Sequence, residues 1–284
     1  MLPCKLFELG NKLKEQKIQI LAFQEPRMTD DNTMDFGNYR LFKSKTNKRI
    51  LKNTPHLGVA FAVSKNIVNS VKDVKPINNR LMTLSLKCAN KTYTLINAHM
   101  PINNENKLNP DKVNRAWETL ENTISKIPNN HVKILMGDFN AQLGKERKFR
   151  KTVGKFPAHK WTNQNGQRLV ETCKHFNLKI MSTHFKKTPS KQKTWRSPNA
   201  YLGEFQIDHV AISYPNYKEV MNVQVRKGFN IDSDHYLTRI KLKLKPQKFS
   251  KNKLKIPKFN THKITPIFTS ELESKTSRNW KNSK

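Results

Sequence analysis

The sequence has 284 residues, of which 36% are hydrophobic, and its 54 Lys and Arg residues against 21 Asp and Glu give a formal net charge of +33. This length is enough for one large layered domain or two small ones with a sizeable core. A net charge of +33 excludes a surface on which positive and negative charges balance. Because its field attracts polyanions, the predicted partners are nucleic acid first and an anionic membrane second.

The cysteines and the terminal segment indicate the compartment. Cys4, Cys88 and Cys173 lie far apart without metal-ligand spacing, which fits a reducing environment and no disulfides. The first eight residues hold no apolar stretch typical of a signal peptide, and no later run reaches transmembrane length. We therefore predict an intracellular protein, nuclear or cytoplasmic, without a membrane segment.

The first two predicted elements are a helix and a strand. Apolar residues recur at helical spacing from Lys5 to Gln16, and a strand follows from Ile18 to Phe23. Pro26 stops the chain from continuing as a strand, directly after Glu25. Glu25 is either a solvated strand end or a carboxylate placed at a sheet edge to hold a hard cation.

A loop and three strands are predicted next. Residues 30–54 are polar and basic without periodicity, which predicts a loop. Large and small residues alternate from Leu57 to Val63, and a half-buried strand is predicted from Met82 to Cys88. A turn then leads into a second hairpin strand, Thr92 to Ile96, whose polar end includes His99.

A helix start is encoded at residues 109–111, which combine an asparagine N-cap, a proline at the first helical position and an early acid. The apolar residues that follow share one face of this helix. Trp117 belongs to that face, so we predict that it is a core residue and not a platform for a ligand.

The apolar run from Val132 to Met136 predicts a buried strand that ends at Gly137. The glycine allows a sharp turn, which would project Asp138 and Asn140 from the C-terminal end of the strand. Layered α/β proteins collect their chemistry at such ends. The alternative interpretation is a strand followed by an ordinary Asp/Asn turn.

Two strongly basic loops follow, separated by a predicted helix from Arg168 to Phe176 and a short strand from Lys179 to Ser182. Residues 144–161 hold seven Lys and Arg and one acid, and residues 184–197 hold five and no acid. Such loops are usually solvated, but basic residues interleaved with an aromatic also suit contacts to a nucleic-acid backbone and its bases. The candidates for these contacts are Arg147, Lys148, Lys193, Trp195 and Arg196.

An acid interrupts the apolar strand predicted from Phe205 to Ile212. Because an unpaired buried carboxylate is costly, Asp208 requires a partner. The best candidate lies in the segment from Asp232 to His235, just before the last predicted strand, Tyr236 to Leu244. A histidine held by a buried carboxylate is an acid/base or phosphate-binding device.

The C-terminal segment differs in composition from the rest. From residue 241 to residue 284, thirteen Lys and Arg face two acids, and prolines interrupt the segment. We predict a disordered basic tail behind a folded domain of residues 1–240. That domain alone still carries a net charge of +22, so the tail is not the sole source of the positive field.

Six short motifs in this order, each near the end of a predicted strand, resemble the endonuclease/exonuclease/phosphatase superfamily. The likeness is strongest to the apurinic-type endonuclease domains of non-LTR retrotransposons and to the craniofacial-development-protein-2-like genes derived from them. It extends over roughly residues 5 to 240. The motifs are Gln24-Glu25, Asn97 to Pro101, Gly137 to Asn140, Thr194-Trp195, Gln206 to His209 and Ser233 to His235.

The resemblance implies a four-layer α/β sandwich, in which two mostly antiparallel sheets pack face to face with helices outside. It also implies hydrolysis of phosphodiester bonds with Mg²⁺, or alternatively Mn²⁺, held by Glu25 with support from Asp234. The implied substrate is DNA, with RNA as the alternative. No oligomeric state is predicted, and a monomer is the default.

The same resemblance implies the remaining roles at the site. Asp138 would orient and deprotonate the attacking water, and Asn140 would fix the water and the phosphate. His235, oriented by Asp208, would bind the scissile phosphate, and His99 would stand nearby. Phosphodiester hydrolysis needs a positioned water, a cation and a donor to the phosphate oxygens, so these roles are chemically coherent.

One departure from the family concerns its first core strand, which ends in an Asn that helps to build the metal site. Only residues 1–3 precede the first helix here, so we expect this strand to be lacking. Burying about four apolar side chains of such a strand contributes on the order of 6–12 kcal/mol. Three functions therefore stay open: a DNA-nicking endonuclease, a nucleic-acid-binding relic with weakened catalysis, and a phosphatase acting on lipids or inositides.

Overall fold

Two β-sheets packed face to face form the centre of the fold. The computed structural model describes residues 3–26, 33–44, 58–103, 110–229 and 233–244. Its helices and strands in chain order are α1 (Pro3–Glu15), β1 (Ile20–Gln24), β2 (Met34–Phe36), β3 (Tyr39–Lys43), β4 (Val59–Ser64), β5 (Val71–Asn78), β6 (Leu81–Cys88), β7 (Lys91–His99), α2 (Pro110–Ser125), β8 (His131–Asp138), α3 (Gln164–His175), β9 (Leu178–Ile180), β10 (Trp195–Arg196), β11 (Glu204–Phe205), β12 (Asp208–Ser213), β13 (Val220–Arg226) and β14 (Leu237–Leu242).

The larger sheet has six strands in the order β5-β6-β7-β8-β12-β9. All of its neighbours are antiparallel except β7 and β8, which run parallel. The second sheet has the order β1-β4-β3-β2, and the pairs β10-β11 and β13-β14 form two small sheets. Long connections between parallel strands commonly carry a helix, and α2 lies in the connection from β7 to β8.

Three buried clusters hold the layers together. Phe61 and Ile134 lie in the cluster between the two sheets. Trp117 on α2 packs with residues of α3 and the six-stranded sheet, while Leu13 on α1 packs with the second sheet. Helices therefore cover both outer faces, and the predicted four-layer α/β sandwich is confirmed. Trp117 is only 3% exposed, which confirms its predicted place in the core.

The loop predicted over residues 30–54 is wrong for its described part, because β2 and β3 form a hairpin there. Gly37, with a φ of +51°, supplies the left-handed turn residue between the strands. Tyr39 and Leu41 are buried, and the Tyr39 hydroxyl donates a hydrogen bond to the Ile18 carbonyl at 2.6 Å. The strands are short and their outward residues are charged, so the sequence shows no clear alternation.

The strand predicted from Phe205 to Ile212 is also wrong in one respect, since it consists of two strands, β11 and β12. The backbone N–H groups of Ile207 and Asp208 both donate to the hydroxyl of Thr194, at 3.0 and 3.1 Å. The chain therefore changes sheets between Phe205 and Asp208, and Asp208 becomes the first residue of β12.

An open cleft separates β1 from β14. Among the described strands, β1 pairs only with β4, and β14 pairs only with β13. Both strands line the same cavity of about 1460 Å³, which continues to the ends of β7 and β8. The expectation that one core strand is lacking stays a prediction.

None of the helices in the described ranges is long and apolar enough to cross a membrane. The tail predicted from residue 241 onward begins inside β14, which reaches Leu242. Residues 245–284 lie outside the described part of the chain.

Candidate active site

Asp138 lies at the centre of the candidate site because two neighbouring strands meet its own strand there. In the sheet register, Asp138 on β8 faces His99 on β7 and Asp208 on β12. Asp138 is 6% exposed. The His99 Nε2 atom lies 3.9 Å from an Asp138 carboxylate oxygen. Three separate sequence motifs are thus brought together by strand pairing.

Gly137 makes this close approach feasible. A Cβ atom at Gly137 would lie 1.9 Å from the carbonyl oxygen of Ala98 on β7, and its φ is +142°. The prediction that the strand ends at Gly137 is wrong, because β8 continues through Gly137 to Asp138. The glycine serves the tight packing of β7 against β8, and not a turn that ends the strand.

His235 is held by Asp208, as predicted. The Nδ1 atom of His235 lies 3.2 and 3.1 Å from the two carboxylate oxygens of Asp208. Because a carboxylate accepts, Nδ1 carries the proton, and Nε2 is directed toward Asp138, 4.0 Å from its carboxylate oxygen. Burial lowers the pKa of His235, but Asp208 and Asp138 outweigh it and raise the pKa to about 9. His235 is therefore a cation at neutral pH.

Burial has the opposite effect on the carboxyl group of Asp138, because it raises the pKa of an acid. Burial, followed by the nearby Asp208 carboxylate, raises the pKa of Asp138 to about 7, although His235 and a hydrogen bond from Asn140 oppose this rise. The backbone N–H of Asn140 donates to Asp138 at 2.9 Å, and the Asn140 side chain donates to the Met100 carbonyl at 2.9 Å. Asn140 adopts a φ of +49°, a left-handed conformation that Asn enters more readily than most residues.

Glu25 follows β1 of the second sheet and lies close to His99 at the candidate site. Its φ is +54°, and its backbone N–H donates to the Gly58 carbonyl at 2.9 Å. The His99 Nε2 atom lies 3.7 Å from a carboxylate oxygen of Glu25, so His99 stands between Glu25 and Asp138. Beneath Glu25, the Gln24 side chain donates to Asn97 at 2.6 Å and links β1 to β7.

Arg80 is a site residue that the sequence analysis missed. It lies in the turn between β5 and β6, lines the cavity, and donates to the His99 carbonyl at 3.2 Å. Burial lowers the pKa of Arg80, while the charges of Glu25 and Asp138 act in the opposite direction. The pairing of β6 with β7, in which Leu81 faces Ala98, places Arg80 beside His99. No motif could have distinguished it among the other 53 basic residues.

Trp195 is the predicted nucleic-acid contact that lies nearest the site. Its indole N–H donates to the Asp234 carboxylate at 2.7 Å, and its ring centroid lies 6.4 Å from that of His235. Asp234 therefore faces Trp195 rather than joining the cluster of Asp138, Asp208 and His235.

The four basic candidates lie elsewhere on the loops, and none of them lines the cavity. Arg147, Lys148 and Arg196 are exposed, and Lys193 is half-buried. The sequence analysis also overlooked two exposed aromatic residues, Tyr201 at 99% and Trp161 at 68% exposure. A single exposed aromatic in a loop carries no periodic signal in the sequence.

The donor atoms fit a hard cation in part. Ligand atoms of Asp138, Asp208 and His235 lie within 4.8 Å of one another. His235 is a poor ligand here, because Nδ1 is bonded to Asp208 and the raised pKa keeps the ring protonated. The carboxylates of Asp138 and Glu25 are oxygen donors of the kind that Mg²⁺ prefers.

Solved structures share this architecture. The catalytic domain of Xenopus laevis APE2 matches with a TM-score of 0.64 and 15% identity, covering 87% of this chain and 90% of that one. The endonuclease domain of TRAS1, a telomere-specific non-LTR retrotransposon, matches with a TM-score of 0.59 and 16% identity, covering 86% and 93%. The 3′ phosphatase NExo from Neisseria, bound to a product DNA hairpin, matches with a TM-score of 0.58 and 16% identity, covering 84% and 94%. These similarities show the fold.

Sequence comparison gives the family. Craniofacial development protein 2 from Bos taurus is 26% identical over 251 residues, which are 87% of this chain and 40% of that protein. The protein of the same name from Tragulus javanicus is 26% identical over 253 residues, 87% of this chain and 42% of that protein. The chain thus spans about two fifths of the length of these relatives. The family described as Endonuclease/Exonuclease/phosphatase matches residues 3–235, and the chain belongs to that family.

Proposed function

We propose that the protein hydrolyses phosphodiester bonds in DNA and that it nicks duplex DNA in the presence of Mg²⁺. The observation that carries this proposal is the network in which a buried Asp138 faces a cationic His235 held by Asp208. The net charge of +33 favours a long polyanion over a small phosphorylated substrate. Two of the structurally similar proteins are, by their names, a retrotransposon endonuclease and a phosphatase bound to a DNA product.

The two central groups have protonation states that suit such a hydrolysis. Asp138, with a pKa raised to about 7, accepts a proton from the attacking water near neutral pH, where a general base is most effective. His235, with a pKa raised to about 9, remains protonated and donates from Nε2 to a phosphate oxygen. Asp208 accepts from Nδ1 and holds that imidazolium in the required orientation.

Three further residues position the reacting groups. Asn140 is fixed by the Met100 carbonyl and fixes Asp138 in turn. His99 lies between the two carboxylates of Glu25 and Asp138, where its ring can contact the phosphate. A divalent cation held by Glu25 would polarise the phosphate and lower the pKa of a bound water, while Asp234 accepts from Trp195.

The nucleic-acid strand would pass over the basic loops of residues 144–161 and 184–197. Trp195 lies beside His235 with its indole N–H bonded to Asp234, so its ring can stack on a base next to the scissile phosphate. Arg147, Lys148, Lys193 and Arg196 would contact the backbone. RNA is the alternative substrate, since neither charge nor stacking distinguishes the two polymers.

The decisive experiment is nicking of supercoiled plasmid by purified protein with Mg²⁺ and with EDTA. Asp138→Asn and His235→Ala should each lower the nicking rate by about 10²–10⁴-fold, the usual contribution of a general acid or base. Asp73→Asn and His175→Ala are matched controls, because both residues are exposed, and they should nick normally. Unchanged activity in EDTA, or in both site variants, contradicts the proposal.

One observation favours a second candidate, a nucleic-acid-binding protein with weakened catalysis. The open cleft between β1 and β14 reaches Glu25, so none of the described strands supports one side of the proposed cation site. In that case the protein should retard duplex DNA in a gel without nicking it at any Mg²⁺ concentration. A phosphatase acting on lipids or inositides has no comparable support in the described structure.

A further inference from the structure

Asn140 receives support from a residue that none of the sequence motifs contains. Within the candidate site, its backbone N–H donates to Asp138 and its side chain donates to the Met100 carbonyl, each at 2.9 Å. The Asn140 carbonyl is held from another direction, because the side-chain amide of Asn163 donates to it at 3.0 Å. Asn163 lies directly before α3. The start of this helix is therefore bonded to the loop that carries Asn140.

The side-chain oxygen of Asn163 has two further partners. It accepts from the backbone N–H of Gly166 at 2.7 Å and so caps α3. It also accepts from the N–H of Gln142 at 2.9 Å, while the Asn163 backbone N–H donates to the Gln142 carbonyl at 3.1 Å. Two N–H donors require an oxygen at this position, so the nitrogen of the side chain must face the Asn140 carbonyl.

Contacts on both sides of Asn163 keep its amide in place. The residue before it, Thr162, donates its backbone N–H and its hydroxyl to the Glu146 carboxylate, each at 2.8 Å. On the other side, a Cβ atom at Gly166 would lie 2.2 Å from the Gln142 carbonyl oxygen. The absence of a side chain at Gly166 thus allows the first turn of α3 to lie directly against the loop.

The carbonyl bond matters because of the backbone conformation of Asn140. Its φ of +49° lies in the left-handed region, which is uncommon for residues other than glycine. Releasing the carbonyl would allow rotation about the backbone bonds of Asn140. That rotation would misdirect the N–H that donates to Asp138 and the side chain that donates to Met100.

We propose that Asn163 is a positioning residue for the hydrolysis. Its side-chain amide holds the Asn140 carbonyl, and through Asn140 it holds the carboxylate of Asp138 in the orientation that the reaction needs. This inference rests on the proposed function, in which Asp138 and Asn140 act on the attacking water. It adds that the start of α3 belongs to the support of the site, so that capping the helix and aligning the site depend on one side chain.

Two substitutions separate these two tasks. Asn163→Asp still caps the helix, but a carboxylate cannot donate to the Asn140 carbonyl. Asn163→Ser also caps the helix, lacks the amide and adds no charge near the nucleic acid. With a duplex substrate and Mg²⁺, kcat should fall by about 10- to 100-fold in both variants, because a small misplacement of reacting groups is costly. In Asn163→Ser, KM and the Kd for DNA should stay unchanged.

Thr172→Val controls for the stability of α3. The Thr172 hydroxyl donates to Glu121 at 2.7 Å and ties α3 to α2, so its loss should lower the melting temperature without changing kcat. If this variant loses as much kcat as Asn163→Ser, helix stability explains the effect and the proposal is overturned. A raised KM with unchanged kcat in Asn163→Ser also overturns it. Asn163 lines the cavity and would then be a substrate contact.

Amide hydrogen exchange provides a readout that does not depend on activity. In both Asn163 variants the N–H of Asn140 should exchange about tenfold faster than in the wild type, because its bond to Asp138 would open more often. Amides in the middle of α3 should keep their protection. If the wild type does not nick DNA, the proposed function is wrong, whereas faster exchange at Asn140 still supports positioning by Asn163. Unchanged exchange at Asn140 in both variants overturns the inference, whatever the nicking activity.

Discussion

His209 makes the folded protein sensitive to acid. This side chain is 1% exposed. Its Nε2 lies 2.8 Å from the Ala141 carbonyl, and its Nδ1 lies 2.8 Å from the Ser182 hydroxyl. Because a carbonyl only accepts, Nε2 carries a proton. Burial favours the neutral imidazole, in which Nδ1 accepts from the Ser182 hydroxyl, and the side chain ties β12 to the loop after Asn140 beneath the candidate site.

The size and sign of the effect follow from its pKa. Burial lowers the pKa of His209 to about 4, against the smaller opposing effects of the Ala141 carbonyl and Asp208. In the unfolded chain a histidine titrates near 6.5, so the unfolded state binds the proton first as the pH falls. The stabilisation is fully present above about pH 6.5. It is lost progressively down to about pH 4, and the total loss is about 3 kcal/mol.

Denaturant unfolding between pH 4 and pH 8 tests this directly. The free energy of unfolding should fall on acidification, and His209→Gln should remove most of the loss assigned to this group while costing stability at pH 8. His175→Gln is the control, because His175 is exposed, and its pH profile should match that of the wild type. If His209→Gln retains the full acid sensitivity, the imidazole is not the group responsible and its assignment as a buried neutral side chain is refuted.

Three further predictions concern the site. Gly137→Ala should destabilise the protein by about 3 kcal/mol or more, because its Cβ would overlap the Ala98 carbonyl; a normal melting temperature would contradict the packing argument. Arg80→Met should lower the rate of nicking without changing DNA affinity, since Arg80 donates to the His99 carbonyl at the candidate site; weakened DNA binding alone would make it a substrate contact instead. Trp195→Ala should weaken DNA binding by about 1–3 kcal/mol if the ring stacks on a base, and binding should fall steeply with salt; fluorescence titration at two salt concentrations measures both.

The layered architecture was implied by the resemblance of six short motifs to a known family, whereas most of the strands were predicted from periodicity within single segments. The helix α2 and the hairpin of β6 and β7 are examples, since apolar faces and a tight turn are local features. The hairpin of β2 and β3 could not be predicted, because each strand is short and Asp35 pairs outward with Arg40. Strands β5 and β13 were not predicted either, since most of their residues are exposed or half-buried.

Some features of the candidate site could likewise be predicted from the sequence, and others could not. That Asp208 needs a partner followed from the cost of a buried carboxylate, a general rule that needs no knowledge of register, and the resemblance implied that this partner is His235. The placement of Arg80 beside His99 depends on which residues face each other across β6 and β7. Register of this kind is set by the packing of whole sheets, so the sequence of the turn alone does not encode it.

The register also explains why the site tolerates so little local change. Asp138 faces His99 and Asp208 only because β7, β8 and β12 are aligned to the residue. A slip of one position would turn every side chain of β8 to the opposite face of the sheet. Asp138 would then point away from His235, and apolar residues that pack against α2 and α3 would exchange places with those between the sheets. Catalytic geometry and core packing are thus fixed by the same alignment, which couples loss of the site to loss of the fold.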